Sequence, residues 1–294
     1  MRILVIGCLL LMFGCSHSVE SSYIVEKAAN HNEKYLSTVP VLLKHKHVKD
    51  FSRFTEKHVK NFILSKYEAP NYLPVEWGET VTGVKTQLNT TEKVIALTLD
   101  ACGGPYGSEY DKELLDYLIT QHIPATLFVN SRWINENPEL FLALYNNPLF
   151  SIANHGTHHK PLSINGNTAW GIKGTTSIAE VVEEVLVNNQ LIEQMTGETP
   201  KYFRSGTAFY DDVSVQIVED LGMEVVNYSI LGDAGATYSK EQVKHALLNS
   251  HAGSIALLHM NQPHSETAEG VKLAIPILIK EGFRFAKLDE FPLK

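Results

Sequence analysis

The chain has 294 residues, 44% of them hydrophobic and 20% charged, so it can bury a full core without disulfides. A formal charge of -8 argues against a partner held by nucleic-acid phosphates, and three cysteines are too few for a stapled framework. The amino terminus, MRILVIGCLLLMFGCSH, sets Arg2 before an apolar run from Ile3 to Phe13 that ends at Gly14-Cys15. That run is too short to span a bilayer, so residues 1–14 read as an export signal. Small Gly14 before Cys15 resembles a lipoprotein processing box. The mature chain would then begin at a lipidated Cys15, held by acyl chains to a membrane of the cell envelope. Cys8 would leave with the signal, which makes Cys102 the one free thiol.

Residues 15–92 read as an N-terminal extension and linker, because they lack the strand and helix alternation that follows. Their KHKHVKDFSRFTEKHVK stretch suits a solvated helix face or tether. A sharper alternative lays Lys44, Lys46, Lys49 and Arg53 on anionic headgroups beside the anchor. NYLPVEWGET then reads as a linker or an edge strand.

From residue 93 onward apolar, β-branched runs recur: VIALTLD at 94–100, ATLFVN at 125–130, LFSIANH at 149–155, KYFRSG at 201–206, EVVNYSI at 224–230, SIALLHM at 254–260 and FRFAKL at 283–288. Between them lie helix patterns. Residues 178–195 place Ile178, Val181, Val182, Val185 and Ile192 on one stripe, and 211–221 open on Asp211-Asp212 and close at Gly222. Such alternation predicts an α/β fold, a distorted (β/α) barrel of about seven parallel strands with a helical N-terminal extension. The barrel domain is expected to span residues 93–294. Periodicity alone also admits an open sheet, and Pro276 leaves the last helix boundary open.

Polar residues collect where such a barrel puts chemistry. Asp100, His155, Arg204 and His259 each stand at or just past the carboxyl end of a strand run, and Asp233 follows shortly after another. In ANHGTHHKPLS, His155 and His159 are four apart, close enough to share one metal, with His158 able to substitute. Imidazoles favour zinc or a similar borderline cation over magnesium or calcium, and a third, carboxylate ligand is wanted. The loop LTLDACGGPYG carries Asp100 but follows it with Ala101 and Cys102.

These features together resemble the polysaccharide deacetylases with the NodB-homology domain, carbohydrate esterase family 4. The family motif T-F-D-D-G is similar to TLDAC at 98–102, H-(S/T)-x-x-H to HGTHH at 155–159, and R-P-P-Y-G loosely to RSGTA at 204–208. A later aspartate motif is similar to GDAG around Asp233, and the last motif to LLHM with His259. The resemblance implies a metal-dependent N-deacetylase of N-acetylated envelope polysaccharide such as peptidoglycan. It implies Asp100 as general base, oriented by Arg204, and His259 as general acid, oriented by Asp233. His155 and His159 would hold the metal, expected to be Zn2+, and the oxyanion-binding backbone N–H would come from Thr207. These roles meet what amide hydrolysis needs: an activated water, a stabilised oxyanion and a proton for the departing amine.

The family's second aspartate, its third metal ligand, is Ala101 here, which has no donor atom. The expected replacement is Asp100 itself; Asp111 or Asp233 are alternatives, and Cys102 reads first as an inert buried cysteine that could supply a thiolate. On this reading a carboxylate placed at 101 should tighten metal binding. Two rival functions are a catalytically silent glycan-binding lipoprotein of the same fold, supported by Ala101, and a cysteine hydrolase built on Cys102. Tyr106, Trp133, Trp170, Phe209 and Tyr210 fall on loops expected near the rim, where they could stack on sugar rings.

Overall fold

The computed structural model describes residues 56–67 and 72–294; the export signal, Cys15 and the basic strip from Lys44 to Arg53 lie outside them. In chain order the elements begin with helix α1 (Glu56–Tyr67) and strands β1 (Trp77–Gly78) and β2 (Val94–Ala101). Then come α2 (Lys112–Thr120), β3 (Ala125–Val129), α3 (Ser131–Glu136), α4 (Pro138–Tyr145) and β4 (Phe150–Asn154). A hairpin follows, β5 (Thr168–Ala169) and β6 (Ile172–Lys173), and after it α5 (Ile178–Thr196), β7 (Tyr202–Phe203) and β8 (Tyr210–Asp211). The chain ends with α6 (Asp212–Asp220), β9 (Glu224–Val225), β10 (Ile230–Leu231), α7 (Lys240–Leu248), β11 (Ser254–His259), α8 (Thr267–Lys280) and β12 (Arg284–Ala286).

Eight strands form one parallel sheet in the order β10-β11-β2-β3-β4-β7-β9, with β12 beside the start of β2. This is the α/β barrel-type sheet that the alternating pattern predicts. One run departs from expectation. EVVNYSI is not a single strand: Glu224–Val225 closes one end of the sheet order and Ile230–Leu231 the other. Residues 226–229 carry the chain across that gap, with Val226 N donating to Phe203 O and Ser229 N to Ile255 O. The two outermost strands are therefore neighbours in sequence, and the sheet curls toward closure there.

Caps set the helix ends. Ser177 accepts from Glu180 N at the start of α5, and Gly197 ends that helix in the left-handed region. Asp211 caps α6 by accepting from Ser214 N. Helix α8 runs through Pro276, which lies on its exposed face, so the lost ladder bond falls on the solvent side.

Period-two alternation divides each strand between two cores. On β2, Ile95, Leu97, Leu99 and Ala101 pack outward into the layer shared with the helices, and Val94 and Ala96 point inward. On β11, Ala256 and Leu258 face outward and Ile255 inward. The inner core is completed by Phe128, Ala153, Tyr202, Val226, Ala286 and Leu288. Continued by two residues at a time toward the carboxyl ends, the inward series turn polar: Thr98 and Asp100 on β2 with Cys102 just past its end, His155 after Ala153, Arg204 after Tyr202, and His259 after Ile255 and Leu257.

The extension contributes more than a tether. Val59, Ile63 and Tyr67, four apart along α1, are buried against Val181 and Val185 of α5 and Leu221. Lys60 pairs with Glu183, and Asp220 takes both Lys66 and the Tyr67 hydroxyl. NYLPVEWGET supplies β1, a short antiparallel partner of β8. Among the described residues no helix is long and apolar enough to cross a membrane.

Candidate active site

Asp100 and His259 are register partners on adjacent parallel strands, so their inward side chains share one wall of the pocket. Arg204 fixes the first of them. Its Nη1 donates to Asp100 Oδ1 at 2.8 Å and to Thr98 Oγ1 at 3.0 Å. Nε and Nη2 each donate at 3.0 Å, to the carbonyls of Val226 and Asn227. The guanidinium lies 4.1 Å from the Phe128 ring centroid and is wholly buried. Burial would raise the Asp100 carboxyl, but Arg204, with His155 and His259, outweighs it and holds Asp100 below the ordinary carboxylate range. The base is thus ionised and oriented.

His259 is held from two sides by one carboxylate. Asp233 Oδ1 accepts from His259 Nδ1 at 2.8 Å and Oδ2 from the His259 backbone N–H at 2.7 Å. Thr267 Oγ1 donates to Oδ2 as well. Burial works against the imidazolium, yet Asp233 prevails and the His259 pKa rises well above its usual value. Nδ1–H is spent on Asp233, which leaves Nε2–H to face the pocket.

His155 has the opposite setting. Its Nδ1 lies 3.0 Å from the Arg204 carbonyl, which can only accept, so Nδ1 carries the proton and Nε2 keeps a free lone pair. Burial lowers its pKa despite Asp100, leaving a neutral imidazole. Nε2 lies 3.7 Å from Cys102 Sγ and 3.5 Å from Asp100 Oδ2. The His159 ring meets that of His155 edge-on, centroids 5.0 Å apart, and its Nε2 is buried with no hydrogen-bond partner among the described residues. Gly206 sets this ring: a Cβ there would come within 2.4 Å of His159.

One donor atom each from Cys102, His155 and His159 lie within 4.8 Å of one another. An orphaned buried ring nitrogen and a sulfur-and-imidazole donor set suit a borderline cation such as zinc. Asp100, expected as the third ligand, is not in this group: its Oδ1 is bonded to Arg204 and its Oδ2 lies 3.5 Å from His155 Nε2. The alternatives are outside this group too: Asp111 caps α2 through Leu114 N, Asp233 holds His259, and His158 is exposed. Ala101 is buried in the outer core, facing away from the pocket. A carboxylate at 101 would therefore be driven into an apolar layer instead of gaining a metal.

Sequence reading missed Glu184. This residue of α5 is buried and accepts backbone N–H bonds from Thr157 at 3.1 Å, His158 at 2.9 and 3.0 Å, and Lys160 at 3.1 Å. Burial raises its pKa against those bonds. It cradles the whole His155–Lys160 loop, and Gly156, at φ 76°, leaves the space: a Cβ there would sit 2.6 Å from Glu184 Oε1. Asn130 completes the clamp by donating to the carbonyls of His155 and Gly156.

The remaining assignments divide. Thr207 lies in the turn between Arg204 and β8, two residues from Phe209, with Oγ1 buried and unpaired among the described residues. Trp133 and Tyr210 are core residues, whereas Tyr106 is 92% and Trp170 75% exposed. Phe209 bridges Trp77 and Trp170, with ring centroids 5.7 Å from each.

A curled parallel sheet with inward polar residues at its carboxyl rim is the architecture of the carbohydrate esterase family 4 barrels. The family model for polysaccharide deacetylase matches residues 87–226. Those residues are a NodB-homology domain of carbohydrate esterase family 4. It is 26% identical over 211 residues to the peptidoglycan-N-acetylmuramic acid deacetylase PdaA of Bacillus subtilis, covering 69% of this chain and 72% of that protein. It is 23% identical over 210 residues to a chitooligosaccharide deacetylase of a Bradyrhizobium strain, covering 67% and 89%. Among solved structures, a family pseudoenzyme from Bacillus anthracis superposes with a TM-score of 0.60 at 21% identity, covering 72% of this chain and 69% of that one. The PdaA structure gives 0.58 at 24%, covering 79% and 87%.

Proposed function

We propose that the protein is a metal-dependent hydrolase that removes acetyl groups from N-acetylated sugars of an envelope polysaccharide such as peptidoglycan. One observation carries the reading: an ionised carboxylate and a protonated imidazole, Asp100 and His259, face each other across paired strands beside converging ligand atoms. His155 and His159 would hold the cation. Bound there, a divalent cation supplies a polarised carbonyl and a more acidic water.

The chain's own groups do the rest. Asp100 takes a proton from the attacking water while Arg204 keeps its carboxylate aimed. The developing oxyanion is met by the backbone N–H of Thr207. His259 donates from Nε2 to the departing amine, and Asp233 stabilises the charge before transfer. Names borne by relatives, a peptidoglycan-N-acetylmuramic acid deacetylase and a chitooligosaccharide deacetylase, support an N-acetylated glycan as substrate. Lipid attachment at Cys15 would hold the enzyme at the envelope beside that polymer.

The test is acetate release from peptidoglycan and from chitooligosaccharides by the purified protein, before and after chelation and zinc return. Release that chelation stops and zinc restores supports the reading. A protein that binds these glycans and releases no acetate is the silent binding lipoprotein instead. Cys15→Ala should move the protein from membrane to soluble fractions; unchanged membrane association overturns the anchor.

A further inference from the structure

The position where the family carries a carboxylate ligand is turned into the core, so the third donor has to come from the inward face shared by Thr98, Asp100 and Cys102. We propose that Cys102 is that donor, so that the cation sits in a cysteine–histidine–histidine site and not the carboxylate–histidine–histidine site of the resemblance. This rests on the metal-dependent reading above.

Three observations carry it. First, geometry: with Zn–S near 2.3 Å and Zn–N near 2.0–2.1 Å, tetrahedral ligands stand about 3.6 Å apart, S to N. Cys102 Sγ and His155 Nε2 are already at 3.7 Å, and the His159 donor completes the triangle within 4.8 Å. Three protein donors leave one open position, the arrangement of a catalytic site.

Second, availability. Asp100 Oδ1 is held by Arg204 and its Oδ2 lies 3.5 Å from His155 Nε2, but no Asp100 oxygen converges with both histidine donors as Cys102 Sγ does. Cys102 engages the pocket imidazoles of His155, His159 and His259, two of which are the other proposed ligands. Its backbone is fixed, with Arg132 Nη2 donating to its carbonyl at 2.9 Å, so the sulfur is aimed before any ion arrives.

Third, register. A strand returns to the same face every second residue, so a donor two places after Asp100 reaches the pocket where one directly after it does not. The shift from 101 to 102 also changes ligand softness. A thiolate favours zinc and other thiophilic cations and disfavours magnesium, calcium and manganese.

The experiment uses the full chain loaded with cobalt(II). A near-ultraviolet sulfur-to-cobalt charge-transfer band is expected. Cys102→Ser and Cys102→Asp should both lose it, with Cys102→Asp still taking up cobalt. Cys102→Ala should bind zinc at least about tenfold more weakly by competition with a chelating dye. Circular dichroism checks that each variant is folded. A parent protein that takes up no cobalt, a cobalt form without the band, or a folded Cys102→Ala that binds zinc as tightly as the parent overturns the proposal. Acetate release is measured in parallel. A band without acetate release removes the deacetylase reading and leaves the ligand set; acetate release from a bandless cobalt enzyme does the reverse.

Discussion

His155 lies 3.5 Å from Asp100 and His259 lies 2.8 Å from Asp233, two buried imidazole–carboxylate pairs at the same end of one sheet. Their histidines are nonetheless driven in opposite directions, His155 down and His259 up. The difference lies in what else each carboxylate holds. Burial outweighs the upward pull of Asp100 on His155, and the charge of Arg204, which shares that carboxylate, adds to burial in keeping His155 neutral. Among the described residues Asp233 meets neutral donors besides His259, namely the His259 backbone N–H and Thr267, so its charge is spent chiefly on one ring, which Cys102 also helps to raise. A neutral imidazole is what a cation needs, and a charged one is what a departing amine needs. One arginine thus separates a ligand from an acid.

The largest test removes the shared carboxylate. Asp100→Asn should lower kcat by about 10²–10⁴-fold through loss of the base. It should also cost about 3–5 kcal/mol of stability, because Arg204 stays buried without its anion. Metal content should not change. A zinc affinity lowered tenfold or more in this variant would make Asp100 a ligand and dissolve the contrast between the pairs. Next comes His259→Gln, expected to cut kcat on the amide by about 10²-fold or more. On an activated aryl acetate, whose leaving group needs no proton, the loss should be small. Equal losses on both substrates would show that His259 is no acid. Smaller again is Glu184→Gln, which keeps the volume but presents an amide NH2 to backbone donors. Loosening the histidine loop should weaken zinc binding by about 10–100-fold with the fold intact, read by dye competition. Unchanged affinity would show that Asn130 and Gly156 suffice to hold the loop.

Much of this was legible before any coordinates, and the illegible parts have physical reasons. The runs at 94–100, 125–130 and 254–260 are strands because β-branched and leucine residues face a core on both sides. Helices α5 and α6 start and stop at Ser177, Gly197 and Asp211, whose side chains or backbone state it locally. EVVNYSI misled because an apolar run records burial and not partner, and Val226 and Asn227 are buried where the chain crosses between sheet edges. The docking of α1 was hidden under its charged residues, although Val59, Ile63 and Tyr67 hold helical spacing. Cys102 was visible in principle: counting by two from Asp100 gives 102, while matching motif letters gives 101. Glu184 also left a trace, a carboxylate placed inside the stripe of Val181 and Val185, where only a buried partner explains it.

The finest test acts on the second pair alone. In Asp233→Asn the asparagine keeps the shape and can still accept from His259, but the negative charge that lifts the imidazole is gone. Burial, which opposes the charged ring, then acts with less opposition, and the His259 pKa must fall. An acid has to be protonated to work, so activity is lost as pH rises through this pKa. Lowering it moves the basic limb of the kcat profile to lower pH and leaves the acidic limb, set by groups on the Asp100 side, in place. At low pH the variant should recover most of the parent rate, which separates a charge effect from a misplaced ring, since misplacement lowers the rate at every pH. If instead both limbs shift together, the two pairs titrate as one coupled system and the division of labour drawn from Arg204 fails.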